Sequence, residues 1–445
     1  MSGPPALQFS EPRSDSTPLA RLTSKLSQQG RASRTLARVL QSRDALQAAF
    51  FTATAIGGSL LNGITLVLLA HLMSVVAFGS YSFAQTFLQI GGMLFEFGLF
   101  LPVARLATKE VSARREIIGA ALALYVPVAV GFALAVFGSS LLVDSVFSVH
   151  AGLALRVSAG FAVVYPFTTI AVFLCQGADR LHLYSASVPV GSGLLAIVLG
   201  VLIALGAHLS PPVALVIASG SMLLGYLPVA ILIRPVFRNL RTHMRSFVEQ
   251  ARTYGFGVYV GRVLAIGTYQ MDILMLGGFA DAKTVGLYVL AGAIASTIAT
   301  PSVGLGNALF GRMVTSNEIP RRWLLSSCAI SVVGVTATWA LTGPFLAVLF
   351  PRSYADASAY VIPLAIAAAL RGPTSVFNSF LSAQGRGREL RNAASVLTVS
   401  NLVLNLGLIP PFGATGAAWA SAVALFANLV AHVHYYKRSR TSALA

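Results

Sequence analysis

Hydrophobic positions in this chain come in blocks of about 20, separated by short polar loops, with no alternation every second residue. A block of that length spans a hydrocarbon core of roughly 30 Å. Strands with open edges leave backbone groups unpaired in lipid, so each block predicts a helix. In the first half the blocks lie near residues 48–72, 81–104, 116–138, 152–175, 184–206 and 212–234. In the second they lie near 253–278, 286–310, 323–350, 358–382, 392–410 and 414–436.

The two sets repeat one another. Leu69 to Tyr81 and Leu276 to Tyr288 both leave an apolar run, cross a short loop and re-enter at Gly-x-Tyr, Gly79/Tyr81 in one and Gly286/Tyr288 in the other. The offset is 207 there, and it passes from 207 at the Phe-Leu to 208 at the Gln-Gly between Phe173-Leu174-Cys175-Gln176-Gly177 and Phe380-Leu381-Ser382-Ala383-Gln384-Gly385. Six segments per half put the first and seventh in the same direction, so the repeats are parallel. The expected fold is an all-α integral membrane protein with about 12 transmembrane helices, in two six-helix repeats around a central cavity. Its expected parts are a polar basic tail (1–47), a first bundle (48–235), a basic linker (236–252), a second bundle (253–436) and a short tail (437–445).

Composition fits a membrane protein: 56% of residues are hydrophobic and 10% charged, against roughly 25% charged in soluble domains. With a cytoplasmic N-terminus, 26 of the 31 basic residues fall in cytoplasmic segments, and only Lys283 and Arg352 fall outside. That split satisfies the positive-inside rule and places both termini in the cytoplasm. The net charge of +17 is therefore spread over many membrane-flanking segments, which argues against nucleic-acid binding. Residues 19–47 are basic with spaced leucines, open to two readings: an amphipathic helix on the membrane surface, or a loose tail that fixes orientation. The first apolar run lies too far in to be a cleavable signal.

Cys175 and Cys328 suggest neither a disulfide framework nor a metal site. The histidines fall mostly at helix ends and are assigned to the interfaces. Walker, nucleophile-elbow and dinucleotide motifs are missing, so a transporter rather than an enzyme is expected, with no resident cofactor.

Several stretches resemble one known family. They are Leu68-Leu69-Ala70 with Phe78-Gly79-Ser80-Tyr81, Phe97-Gly98-Leu99 and Arg105; Asp272-Ile273-Leu274-Met275-Leu276-Gly277 with Val285-Gly286-Leu287-Tyr288; and Leu381-Ser382-Ala383-Gln384-Gly385-Arg386 with Asn401, Asn405, Ile409-Pro410, Gly413 and Gly416-Ala417-Ala418. Their order and spacing are similar to the bacterial polysaccharide and oligosaccharide flippases (Wzx type) of the multidrug/oligosaccharidyl-lipid/polysaccharide exporter superfamily. The resemblance implies alternating-access transfer of an undecaprenyl-pyrophosphate-linked oligosaccharide across the bacterial inner membrane, for O-antigen, capsule or exopolysaccharide. It also implies a polysaccharide polymerase and chain-length regulator as partners.

Such a substrate needs a wet cationic cavity for its head and lipid for its tail. Arg262 and Arg371 fall deep in the seventh and tenth segments, where an arginine should face the bundle interior. Two guanidinium forks suit a pyrophosphate; the plainer reading of Arg262 is internal pairing with Asp272 or Glu96. Arg156 lies near a helix end and can snorkel. Glu96 and Asp272, read as lying in the second and seventh segments, are candidates for H+ or Na+ coupling or gating, or alternatively for helix-to-helix bonds. Gly372-Pro373 beside Arg371 is a candidate hinge, where proline frees a carbonyl near the site. The competing functions are an ion-coupled drug or small-solute exporter, which would favour an acidic cavity, and a membrane enzyme of polysaccharide assembly. A lipid II flippase would have fourteen helices.

Overall fold

The computed structural model describes residues 43–252, 256–314, 316 and 318–444. Within these ranges, the side chains of residues 43–49, 51–52, 256–258, 261–262, 264–269, 298–299, 307, 311 and 441–444 lie outside the description. Most of the tail expected at 1–47, including most of the stretch read as a surface helix, is outside it too. Residues Met1–Ile56 cluster as one unit and Gly57–Ala445 as another. The cores and cavities belong to the second unit.

The described residues form helices joined by short turns and loops, with no strand among them. The first half contains α1 (Arg43–Leu72), α2 (Val75–Leu94), α3 (Leu101–Lys109), α4 (Arg114–Ser139), α5 (Val143–Val146), α6 (Gly152–Ser158), α7 (Val164–Gly177), α8 (Leu181–Ala204) and α9 (Pro211–Leu232). A linker helix, α10 (Leu240–Gln250), comes next. The second half contains α11 (Phe256–Phe279), α12 (Ala282–Met313), α13 (Arg321–Leu349), a 3-10 turn (Arg352–Ala357), α14 (Ser358–Ala383) and α15 (Gly387–Leu444).

Among the described residues, seven helices are long and apolar enough to cross a membrane, and bent α12 brings the number to eight. Breaks and one fusion of helices account for part of the difference from the predicted segments. The second segment is split into α2 and α3 by Phe97 (φ 50°) and Gly98 (φ 69°), both left-handed. The fourth is split into α6 and α7. Conversely, α15 holds both final segments, interrupted at Gly413 (φ 55°, ψ −135°). A Cβ at Gly416 would strike the Leu408 carbonyl. Eight residues of straight helix would separate those groups by about 12 Å, so the chain doubles back there.

The repeat is visible in how α2 and α12 begin. The Ser74 hydroxyl caps α2 by accepting from Ala77 N (3.2 Å). The Asp281 carboxylate, 207 residues on, caps α12 by accepting from Thr284 N (2.8 Å). Each side-chain oxygen satisfies a donor that the first helical turn leaves unpaired. Hydrogen bonds from Thr284 hold the Asp281 carboxyl below its usual range.

Buried apolar residues gather unequally. One cluster joins the two halves through Leu69, Phe78, Tyr81, Val285, Tyr288 and Tyr354, around the loops poorest in basic residues. There α2 and α12 cross at Gly79 and Gly286: a Cβ on Gly79 would overlap the Ala282 carbonyl, and one on Gly286 would lie 2.7 Å from Val75 O. Tyr354 Oη donates to Met73 O (3.1 Å) across the same crossing, and Ser148 N donates to Gly277 O (2.9 Å). Around the basic loops the clusters are separate. One belongs to the first half and includes Phe100, Phe167 and Phe247; the other belongs to the second and includes Met313, Phe377 and Phe380. Linker helix α10 joins the first of these through Phe247, which is buried.

Candidate functional site

Two polar cavities lie on either side of the contact between α2 and α11. The first, about 330 Å³, is lined by Asn62, Thr65, Tyr81, Gln85, Gln89 and Tyr165, among others, with no charged side chain among the described residues. The second, about 520 Å³, is lined by Gln270, Asp272, Tyr288, Arg371, Asn401 and Ser421, among others. Val289 lines both. Gln270 Nε2 donates to Gln89 Oε1 across the join (3.0 Å). Both volumes lie in the range of small-molecule sites.

The repeat relates these cavities residue by residue. Tyr81 and Tyr288 are 207 apart, as are Thr65 and Asp272. In the second half the pair is bonded directly: Tyr288 Oη donates to Asp272 Oδ2, while Ile273 N donates to Asp272 Oδ1 (2.9 Å). A carboxylate that is 7% exposed needs such donors, because burial strips its hydration. In the first half Thr65 spends its hydroxyl on Asn62 O (2.9 Å). Nearby, Ser192 Oγ donates to Asn62 Oδ1 (2.7 Å), and Tyr165 Oη and Ser219 Oγ share a bond of 3.2 Å. One cavity is thus neutral, rich in amides, hydroxyls and aromatic rings; the other carries an arginine and a carboxylate.

Of the residues singled out from the sequence, Arg371 and Asp272 are brought to one cavity. Arg262 belongs to α11, but its side chain lies outside the described residues. Glu96 corrects the sequence reading. It lies not within a helix but in the turn that ends α2, buried at 1% exposure, and lines neither of these cavities. The left-handed Phe97-Gly98 pair breaks the helix just beyond it. That turn adjoins α11, since Tyr259 Oη donates to Leu94 O (2.6 Å). Arg156 sits in α6, with Nε 3.5 Å from Ser140 Oγ. His432 is 3% exposed and bonds through Nδ1 to Asn428 O (2.9 Å).

At Gly372-Pro373, α14 runs on without interruption. Proline has no N–H, so it leaves the carbonyl four residues earlier, that of Ala369, without its helical donor. Ser331 Oγ of α13 donates to that carbonyl (2.8 Å). Gly372 also lies at a close approach of helices: a Cβ there would lie 2.5 Å from Ser302 Cβ and 2.7 Å from Ser331 Oγ. Composition alone could flag the proline, but not its partner on another helix.

Helix α12 separates two environments. Gly292, Ala293 and Ser296 face the charged cavity. Ile294, Thr297 and Pro301 face an apolar groove of about 650 Å³ shared with Ile330, Val333, Ala337 and Phe345 of α13. Around Pro301 the helix bends by 46°.

Solved structures of similar fold include an inward-facing multidrug resistance MATE family transporter of the MOP superfamily, with TM-score 0.64 and 15% identity, covering 86% of this chain and 94% of that one. They also include the lipid II flippase MurJ in an inward closed conformation, with TM-score 0.63 and 14% identity, covering 87% of each chain. These show a shared fold, and the chain is an all-α multi-pass membrane protein of that architecture. A curated relative, the probable low-salt glycan biosynthesis flippase Agl15 of Haloferax volcanii, is 26% identical over 207 residues. The match takes in 43% of this chain and spans 43% of that relative's length. Residues 45–313, more than half the sequence, match the family described as polysaccharide biosynthesis protein. The family resemblance is borne out over the stretch that holds both Gly-x-Tyr repeats: this chain belongs to the polysaccharide biosynthesis protein family.

Proposed function

We propose that this protein is a flippase for a polyprenyl-pyrophosphate-linked oligosaccharide, moving a surface-polysaccharide precursor across the bacterial inner membrane. The observation that carries the reading is the pairing of a neutral polar cavity with an adjoining one that holds Arg371. Amides, hydroxyls and tyrosine rings suit a glycan, which needs hydrogen bonds and flat apolar faces but no net charge. A guanidinium suits the pyrophosphate, whose oxygens it can grip as a fork. The apolar groove on the far side of α12 offers the polyprenyl tail a path while the head stays wet. Family membership and the flippase relative support the same class of substrate.

In this reading the bundles at 48–235 and 253–436 rock against one another. The core shared by the halves around the loops poor in basic residues, and the separate cores around the basic loops, correspond to a state open to the cytoplasm and closed outside. Asp272 and Glu96 are the candidate coupling carboxylates for H+ or Na+. Gly372 and Pro373 are the candidate hinge, Arg262 is the second candidate clamp, and a polymerase and chain-length regulator consume the product.

The test is surface-glycan synthesis in cells whose only copy is the Arg371→Ala variant. Expected is normal membrane abundance with surface polymer reduced tenfold or more, since losing a charge-assisted pair costs roughly 1.5–3 kcal/mol. Normal polymer from this variant overturns the clamp. Wild-type protein that leaves the lipid-linked precursor in the inner leaflet of reconstituted vesicles overturns the flippase.

A further inference from the structure

A third polar cavity, sharing no lining residue with the two already described, opens among the basic loops of the first half. It holds about 250 Å³ and is lined by Arg114, Arg115, Arg180 and Arg234 with Ile118, Ala178 and Ile233. Four arginines from three separate loops line it, and among the described residues no carboxylate does. The neighbouring acids are engaged or turned elsewhere. Glu116 Oε2 accepts from Asn239 Nδ2 (2.8 Å) and lies 3.7 Å from His243 Nε2. Asp179 is exposed and outside the lining.

Capping explains only part of the cluster. Arg180 Nη1 donates to Leu232 O, and Arg115 Nε donates to Arg234 O (2.8 Å). Both serve carbonyls at the C-terminal end of α9, which its last turn leaves without donors. Arg114 Nε donates to Ala107 O (3.1 Å). Each guanidinium has five N–H donors, so these bonds anchor the groups and leave further donors available. Arg114 and Arg115 open α4 and Arg180 precedes α8, where the helix dipole disfavours cations, while the end of α9 that Arg115 and Arg180 cap favours them.

The second half supplies an internal comparison. Arg321 and Arg322 stand 207 residues after Arg114 and Arg115 and likewise open a helix, while Arg388 stands 208 after Arg180. There the basic loops are met by acids and a ring: Arg440 pairs with Glu318 (2.8 Å), Arg386 with Glu389 (3.2 Å), and Arg322 lies over Trp323. The first half keeps the arginines and omits those partners from its cavity.

We propose that this four-arginine cavity is a binding site for a phosphate or pyrophosphate headgroup presented at the cytoplasmic membrane surface. An anion there would use the remaining guanidinium donors and offset four like charges. Free pyrophosphate, an anionic phospholipid and a polyprenyl pyrophosphate share this chemistry, and the experiment separates them.

The purified full chain is titrated with inorganic pyrophosphate, phosphatidylglycerol and undecaprenyl pyrophosphate, with bound species counted by native mass spectrometry. Expected is binding of at least one probe, weakened about tenfold or more in Arg114→Gln/Arg115→Gln, and little changed in Arg321→Gln/Arg322→Gln. Arg234→Asn serves as the second variant. It removes charge at a residue with φ 55°, a conformation that asparagine accepts, and so spares the backbone. The tightest probe names the source. Equal loss in both double variants, or no binding of any probe, overturns the site.

Discussion

The glycine crossing of α2 and α12 is where a single methyl group should test the transport geometry. A Cβ on Gly79 would overlap the Ala282 carbonyl and approach Gly286 N to 2.9 Å. Both obstacles are backbone, so no side chain can swing aside, and α12 must retreat by about 1 Å or more to restore contact distance. Overpacking of this kind costs roughly 1–3 kcal/mol. In the proposed alternating-access cycle the cost falls on the conformation that closes this end, because the crossing is part of the core shared by both halves. A bias of that size shifts a two-state equilibrium by about 5–150-fold. The assay is labelling of a Gln85→Cys variant, in the first cavity, by a membrane-impermeant maleimide added outside the cell, with Cys175 and Cys328 replaced. Gly79→Ala should raise the labelling rate several-fold or more. Gly63→Ala, where a Cβ meets nothing within 4 Å, should leave it unchanged. An unchanged rate in folded Gly79→Ala protein, or an equal rise in both, refutes the idea that this crossing is the closed outer seal.

Two further outcomes concern the second half. Ser331→Ala should lower stability by about 1–3 kcal/mol, because the Ala369 carbonyl loses the donor that replaces the one denied by Pro373; an unchanged melting temperature would show that the carbonyl finds another donor. Asp272→Asn, which leaves Tyr288 an oxygen acceptor but removes the charge, should free flipping from any H+ or Na+ gradient; transport still following the imposed gradient would clear Asp272 of a coupling role.

Much was legible in the sequence because lipid enforces a simple rule: a segment must be apolar, long enough to span, and internally hydrogen-bonded. That rule gives the helices, and the offset of 207 pairs Ser74 with Asp281, Gly79 with Gly286 and Tyr81 with Tyr288. It also identifies Asp272 and Arg371 as costly enough in lipid to require a polar interior, where the fold places both. It could not place Glu96, because a left-handed Phe97 in an apolar run carries no signal in composition. Nor could it reveal that the two related glycines meet, that Ser331 serves a carbonyl on another helix, or that arginines from three loops share one cavity. Periodicity and hydropathy report how each residue relates to its neighbours along the chain and to lipid. Which helix faces share a cavity depends on crossings between segments dozens to hundreds of residues apart, where close approach of backbones decides the outcome, and only the tertiary structure contains those.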